Sequence, residues 1–128
     1  MDSYPPSEPS WPSPPEGIAI RFVEANGIRF ELAECLPAGG DDGRLALCLH
    51  GFPELAYSWR HQMPLLAARG WRVWAPNMRG YGATSKPPRW RDYAMDHLLA
   101  DVAALVDLAG PRELMLVAHD WGAIVAWM

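Results

Sequence analysis

The sequence predicts an α/β fold, a mostly parallel sheet entered through an antiparallel hairpin. Three observations carry this prediction. Apolar runs of strand length recur at Leu45 to Leu49, Trp71 to Ala75 and Leu114 to Ala118, each bounded by turn residues. Stretches with apolar residues at helical spacing separate them. The last run leads through His119-Asp120-Trp121-Gly122 into a second apolar stretch, Ala123 to Met128, which gives strand, tight turn and helix in succession.

Taken in order, residues 1–17 hold six of the chain's 13 prolines. Proline cannot donate to a ladder or a helix interior, so this stretch reads as a disordered or polyproline-II tail ahead of a domain over 18–128. Ile20 to Ala25 and Ile28 to Cys35 read as two strands joined at Asn26-Gly27, a strong hairpin signal. Residues 36–44, rich in Gly and Asp, read as a surface loop. The Leu45 to Leu49 run reads as a buried central strand and opens directly into His50-Gly51-Phe52-Pro53.

Ala56 to Arg69 carries helical spacing at Trp59, Met63, Leu66 and Ala67, but Pro64 interrupts it, so two short helical pieces are expected. Gly70 suits the C-terminal cap. After the next strand, Asn77 to Gly82 is a glycine-punctuated turn running into a loop at 83–91. Met95, Leu98, Leu99, Val102, Leu105 and Val106 then mark one face of a helix, with Asp96, Asp101 and Asp107 off that face, and Gly110-Pro111 stops it. Trp59, Trp71 and Trp74 read as core or near-core residues.

The composition narrows the function classes. The chain has 128 residues, half of them hydrophobic, with a net charge of −4, enough for one small domain with a core and without the basic excess that nucleic acid attracts. No apolar run reaches the ~20 residues of a membrane span, and no secretory signal opens the chain. Cys35 and Cys48 fall in strands and read as small buried hydrophobes of a reducing, cytoplasmic compartment. No metal-ligand spacing and no cofactor motif is present.

The chemistry gathers where three strands end. In an open α/β sheet ligands bind at the carboxyl ends of strands. The loops His50–Pro53, Asn77–Gly82 and His119–Gly122 all leave such ends. Ala118-His119-Asp120-Trp121-Gly122 has the small-x-nucleophile-x-small pattern of a nucleophile elbow, with Asp in place of the usual Ser. The small residues are a steric need, because the turn brings strand end and helix start almost into contact. A carboxylate is already nucleophilic at neutral pH and suits displacement at a saturated carbon. The resulting ester on Asp120 must be hydrolysed by water, a step that needs a general base. Backbone N–H groups of Phe52 and Trp121 are candidates for the oxyanion hole, and His50, Gly51, Pro53 and Gly122 for shaping the site. Tyr81 is a candidate wall of the substrate pocket. His50 and His119 are expected to be structural, and Ser58 and Ser85 have no elbow context.

The segments LCLHGFPE, APNMRGYGATSKP and LVAHDWGAIVAW resemble the α/β-hydrolase superfamily, in particular its epoxide hydrolase branch, which is related to the haloalkane dehalogenases. The resemblance spans roughly Ile18 to Met128. It implies the α/β-hydrolase fold, Asp120 as nucleophile, Phe52 and Trp121 as oxyanion donors, a small apolar epoxide and water as substrates, and no cofactor. Haloalkane dehalogenases usually place Asn where Phe52 stands, and the fluoroacetate-dehalogenase type places Arg where Trp121 stands. Asn77 stands where many relatives carry Asp, which reads as a structural turn position. The chain stops inside an apolar helix, before the cap, the C-terminal strands and the catalytic His that the family adds. The expectation is therefore an N-terminal portion that is inactive alone, its elbow strand left as a sheet edge. The alternatives are a truncated non-enzymatic product or partner-bound module and, among enzymes, a haloalkane dehalogenase.

Overall fold

The computed structural model describes residues 8–128. The hairpin pairs β1 (Ile18–Ala25) with β2 (Ile28–Cys35) in antiparallel register, Ala25 opposite Ile28. Asn26 and Gly27 take φ 53 and φ 72 between them, the left-handed pair that a two-residue hairpin turn needs. Strands β3 (Arg44–Leu49), β4 (Arg72–Pro76) and β5 (Glu113–Ala118) complete one sheet in the order β1-β2-β4-β3-β5. β4 and β5 both run parallel to β3, whereas β4 runs antiparallel to β2, so the sheet is mixed across these residues.

Helical pieces cover both faces. A single 3-10 turn at Ala56–Trp59 precedes α1 (Gln62–Ala68). Pro64 lies in the first turn of α1, where its missing N–H has no partner to lose. A second 3-10 turn at Trp90–Tyr93 leads into α2 (Met95–Ala109), which Gly110 ends at φ 59. The last helix is α3 (Trp121–Trp127).

Strand β3 is apolar at every interior position, yet it sorts its residues by parity. Leu45, Leu47 and Leu49 join Phe30, Leu32, Trp74, Leu98, Leu105 and Val125 on the α2–α3 face. Ala46 and Cys48 join Ala33, Val73, Ala75 and Met63 on the α1 face. Large residues face α2 and α3 and small ones face α1, and the sorting follows from the two-residue period of a strand. Trp74 is buried in this core, and Trp59 and Trp71 pack against its α1 side. Cys35 and Cys48 are both buried free thiols, and burial pushes the Cys48 thiol up to about 12.

Two expectations are corrected. Of the proline-rich stretch, residues 1–7 lie outside the described residues, but the part after them packs on the domain. Trp11 is 6% exposed, edge-on to Tyr57 with ring centroids 5.0 Å apart. Ser10 Oγ donates to Glu31 Oε1 at 2.6 Å. A large aromatic overrides the local proline signal because an uncovered apolar patch on the α1 face accepts it. Asp101, read as lying off the apolar face of α2, is 4% exposed. Its carboxylate accepts two bonds from Arg79, at 2.9 and 2.8 Å, and one from Asn26 Nδ2 at 2.9 Å. A buried charge is tolerated where a partner in fork geometry meets it.

Candidate active site

The three loops predicted to converge do so. The elbow turn follows β5, and Asp120 takes φ 55 and ψ −121, a backbone conformation rare for a residue with a side chain. Two close approaches permit it. A Cβ on Gly122 would lie 2.3 Å from the Leu49 carbonyl oxygen and 2.6 Å from that of His50. A Cβ on Gly51 would lie 2.5 Å from the Asp120 Cβ. The small-residue requirement read from the sequence is thus a backbone contact between the elbow and the end of β3.

The side chain of Asp120 projects from the turn to solvent. Its Oδ2 accepts the Phe52 N–H at 2.9 Å. The Phe52 N–H and then the Trp121 N–H hold the Asp120 carboxyl below the usual carboxylate range, so it stays ionised at neutral pH. The two predicted oxyanion donors therefore both reach one carboxylate. Beside it lies a depression of about 410 Å³ lined by Phe52, Tyr81, Asp120, Trp121 and Ile124. Phe52 is 69% and Trp121 38% exposed, so the depression opens to solvent in this chain. Tyr81 belongs to its wall, and burial, with the Asp120 charge second, raises its hydroxyl pKa.

The remaining site residues support the loops. His50 is 1% exposed. Its Nε2 accepts the Met78 N–H at 2.9 Å, and its Nδ1 lies 3.0 Å from the Gly51 carbonyl oxygen. Pro53 follows Phe52 through a cis peptide bond. His119 meets Glu54 Oε1 through its Nδ1 at 3.1 Å. Among the described residues no group of His, Cys, Asp and Glu is arranged to hold a metal ion.

A second polar cluster, which the sequence reading missed, lies beneath the Asn77–Gly82 turn. Glu31, in the middle of β2, is fully buried. Its Oε1 accepts from Asn77 Nδ2 at 2.6 Å and from the Ala83 N–H at 2.9 Å. Asn77 Oδ1 in turn accepts the Ala56 N–H at 2.7 Å. An amide serves at position 77 because it donates to the carboxylate of Glu31 and accepts from a backbone amide at once. A Glu interrupting a strand of otherwise buried residues was the available signal.

The comparisons agree with the geometry. The α/β hydrolase fold family matches residues 47–128. Epoxide hydrolase A of Mycobacterium tuberculosis is 46% identical over 107 residues, covering 84% of this chain and 32% of that protein. Epoxide hydrolase 2 of Siraitia grosvenorii is 43% identical over 112 residues, covering 88% of this chain and 34% of that protein. The crystal structure of an epoxide hydrolase from Vigna radiata superposes with a TM-score of 0.80 at 50% identity, covering 88% of this chain and 35% of its own. The chain spans about a third of the length of these relatives. With its mixed sheet, its elbow and this sequence match, the chain belongs to the α/β hydrolase fold family.

Proposed function

We propose that the chain carries the nucleophile and oxyanion-hole portion of an epoxide hydrolase. The observation that carries this reading is the convergence of the Phe52 and Trp121 N–H groups on the carboxylate of a strained elbow aspartate. With Oδ2 held by the Phe52 N–H, Oδ1 is the oxygen that attacks a ring carbon of an apolar epoxide lying against Tyr81, Trp121 and Ile124. The new Oδ1–C bond forms as the ring C–O bond breaks, and the ring oxygen takes a proton from an acid. Water then adds to the Asp120 carboxyl carbon. The oxyanion develops on Oδ2, which the Phe52 N–H already holds, with the Trp121 N–H directed at the same carboxyl group, so the donors act without reorganising. The diol leaves with Oδ1, and water restores the carboxylate.

The base for the second step and the acid for the first are assigned, by resemblance, to residues outside this chain. His50 has both ring nitrogens engaged, so it does not serve as the base. Phe52 has no side-chain donor for a halide, which weighs against a haloalkane dehalogenase. The similarity to epoxide hydrolases and the free, buried thiols of Cys35 and Cys48 fit a cytoplasmic protein.

A chain with the nucleophile and without the base is expected to be alkylated once by a reactive epoxide, with water protonating the ring oxygen in place of the acid, and to stop there. Incubation with styrene oxide should add the mass of one epoxide, mapped by peptide sequencing to Asp120 and absent from Asp120→Asn. An unmodified chain, or a label that survives the substitution, rejects the reading. A second reading, an inactive module completed by a partner, draws on the exposed Leu114, Leu116, Ile124 and Trp127 of β5 and α3. It predicts no adduct at Asp120 until that partner is added.

A further inference from the structure

We infer that His50 is a positioning residue that aims the Phe52 N–H donor at Asp120, acting through the carbonyl of the same peptide unit. The Gly51 carbonyl and the Phe52 N–H belong to one planar trans peptide, so they point in opposite directions. Gripping one end of that plane orients the other. The Phe52 end reaches Asp120 Oδ2 at 2.9 Å, and the Gly51 end meets His50 Nδ1 at 3.0 Å. The Gly51 oxygen also accepts the Glu54 N–H at 2.8 Å, so both of its lone pairs are engaged. Gly51 itself supplies no side chain to restrict the plane, and the Asp120 Cβ occupies the space a side chain would need. Orientation must therefore come from hydrogen bonds.

The ring of His50 is fixed in turn. The Met78 N–H is a donor only, so His50 Nε2 is the unprotonated nitrogen. The Gly51 oxygen is an acceptor only, so the ring proton sits on Nδ1. The Tyr81 ring packs against it in a T-shaped arrangement, at 70° with centroids 4.6 Å apart. One line of hydrogen bonds thus runs from the turn after β4, through His50 and the Gly51–Phe52 peptide, to the carboxylate on the elbow, and joins all three loops. The geometry stands by itself; its catalytic meaning rests on reading Asp120 as the nucleophile.

The test uses the 128-residue chain and needs no turnover. Nitrogen-15 spectra of the His50 ring should show the Nδ1–H tautomer at neutral pH, and the Phe52 amide proton should shift as Asp120 ionises. His50→Asn keeps a donor near the Nδ1 position and should retain the Phe52 titration. His50→Gln keeps an acceptor near the Nε2 position for Met78, gives Gly51 nothing, and should lose it. An Nε2–H or mixed tautomer overturns the inference, and so do Asn and Gln variants that behave alike. The wild-type tautomer decides the matter even where a variant unfolds. Failure of epoxide labelling with these signatures intact would reject the proposed activity and leave the role of His50 standing.

Discussion

The elbow has two sides, and they are held very differently. On the β3 side everything is enclosed: Leu45, Leu47 and Leu49 have no exposure, and His50 closes the strand end with both nitrogens bonded. On the β5–α3 side, Leu114 is 40%, Leu116 39%, Ile124 48% and Trp127 88% exposed. The strand that leads into Asp120 is thus the expected sheet edge, paired only with β3 among the described residues. The shape of the elbow is imposed from one flank. The carbonyls of Leu49 and His50 exclude any side chain at position 122, and the Phe52 N–H fixes the carboxylate. Disturbing the enclosed flank should therefore cost much, and disturbing the open flank little.

The largest effect is expected at the seam. Gly122→Ala forces a Cβ into two backbone carbonyls that cannot turn away, and should cost about 4 kcal/mol or more. Urea unfolding monitored by tryptophan fluorescence measures this, and a loss below 1 kcal/mol would mean the elbow is free to open toward β5. Next comes the buried pair beneath the Asn77–Gly82 turn. Arg79→Met strands the Asp101 carboxylate in the interior, so about 3–4 kcal/mol should be lost, whereas the double variant Arg79→Met/Asp101→Leu should recover most of it. An equal loss in single and double variants would show that packing, not charge, matters there.

A direct comparison of the flanks follows. Leu47→Ala should cost about 2–4 kcal/mol, and Leu116→Ala less than about 1 kcal/mol. Similar values would erase the distinction between the two sides. The smallest effect is a pH dependence. Burial holds the pKa of His50 below its ordinary value, against the opposing pull of the Gly51 carbonyl and the Glu54 charge. Below about pH 6.5 the unfolded chain takes up a proton that the folded chain refuses, so stability is level above that pH and declines below it. Denaturant midpoints collected between pH 8 and pH 5 should show the decline in wild type and a flatter line in His50→Gln. A decline toward higher pH would contradict a neutral, buried His50.

Much of the site was legible because its constraints are local. The Asn26-Gly27 turn, the proline in the first turn of α1 and the Ala118 to Gly122 pattern each encode a backbone shape within a few residues. The shape restricts which residues fit, so the residues announce it. Glu31 and Arg79 were legible only as polar residues, Asn77 only as a turn position, and Asp101 was placed off the apolar face of its helix. Their pairing joins positions 46 and 22 apart in the chain, and hydrophobic periodicity carries no record of which charge meets which. Trp11 was masked by the prolines around it, since nothing local shows that the α1 face has room for an indole.

By itself the sequence determined the order of strands and helices and the hairpin turn at Asn26-Gly27, and it pointed to Asp120, Phe52 and Trp121 as the residues that meet at the elbow. These follow from steric limits on φ and ψ and from side-chain period, which act over a few residues. Only the tertiary structure decided that Oδ2 of Asp120 is the oxygen held, that His50 is neutral with its proton on Nδ1, and that a buried Arg79–Asp101 pair underlies the site. Each of these depends on which polar group is deprived of water and which partner is within about 3 Å when that happens. Distances of that kind exist only after the sheet has brought remote loops together.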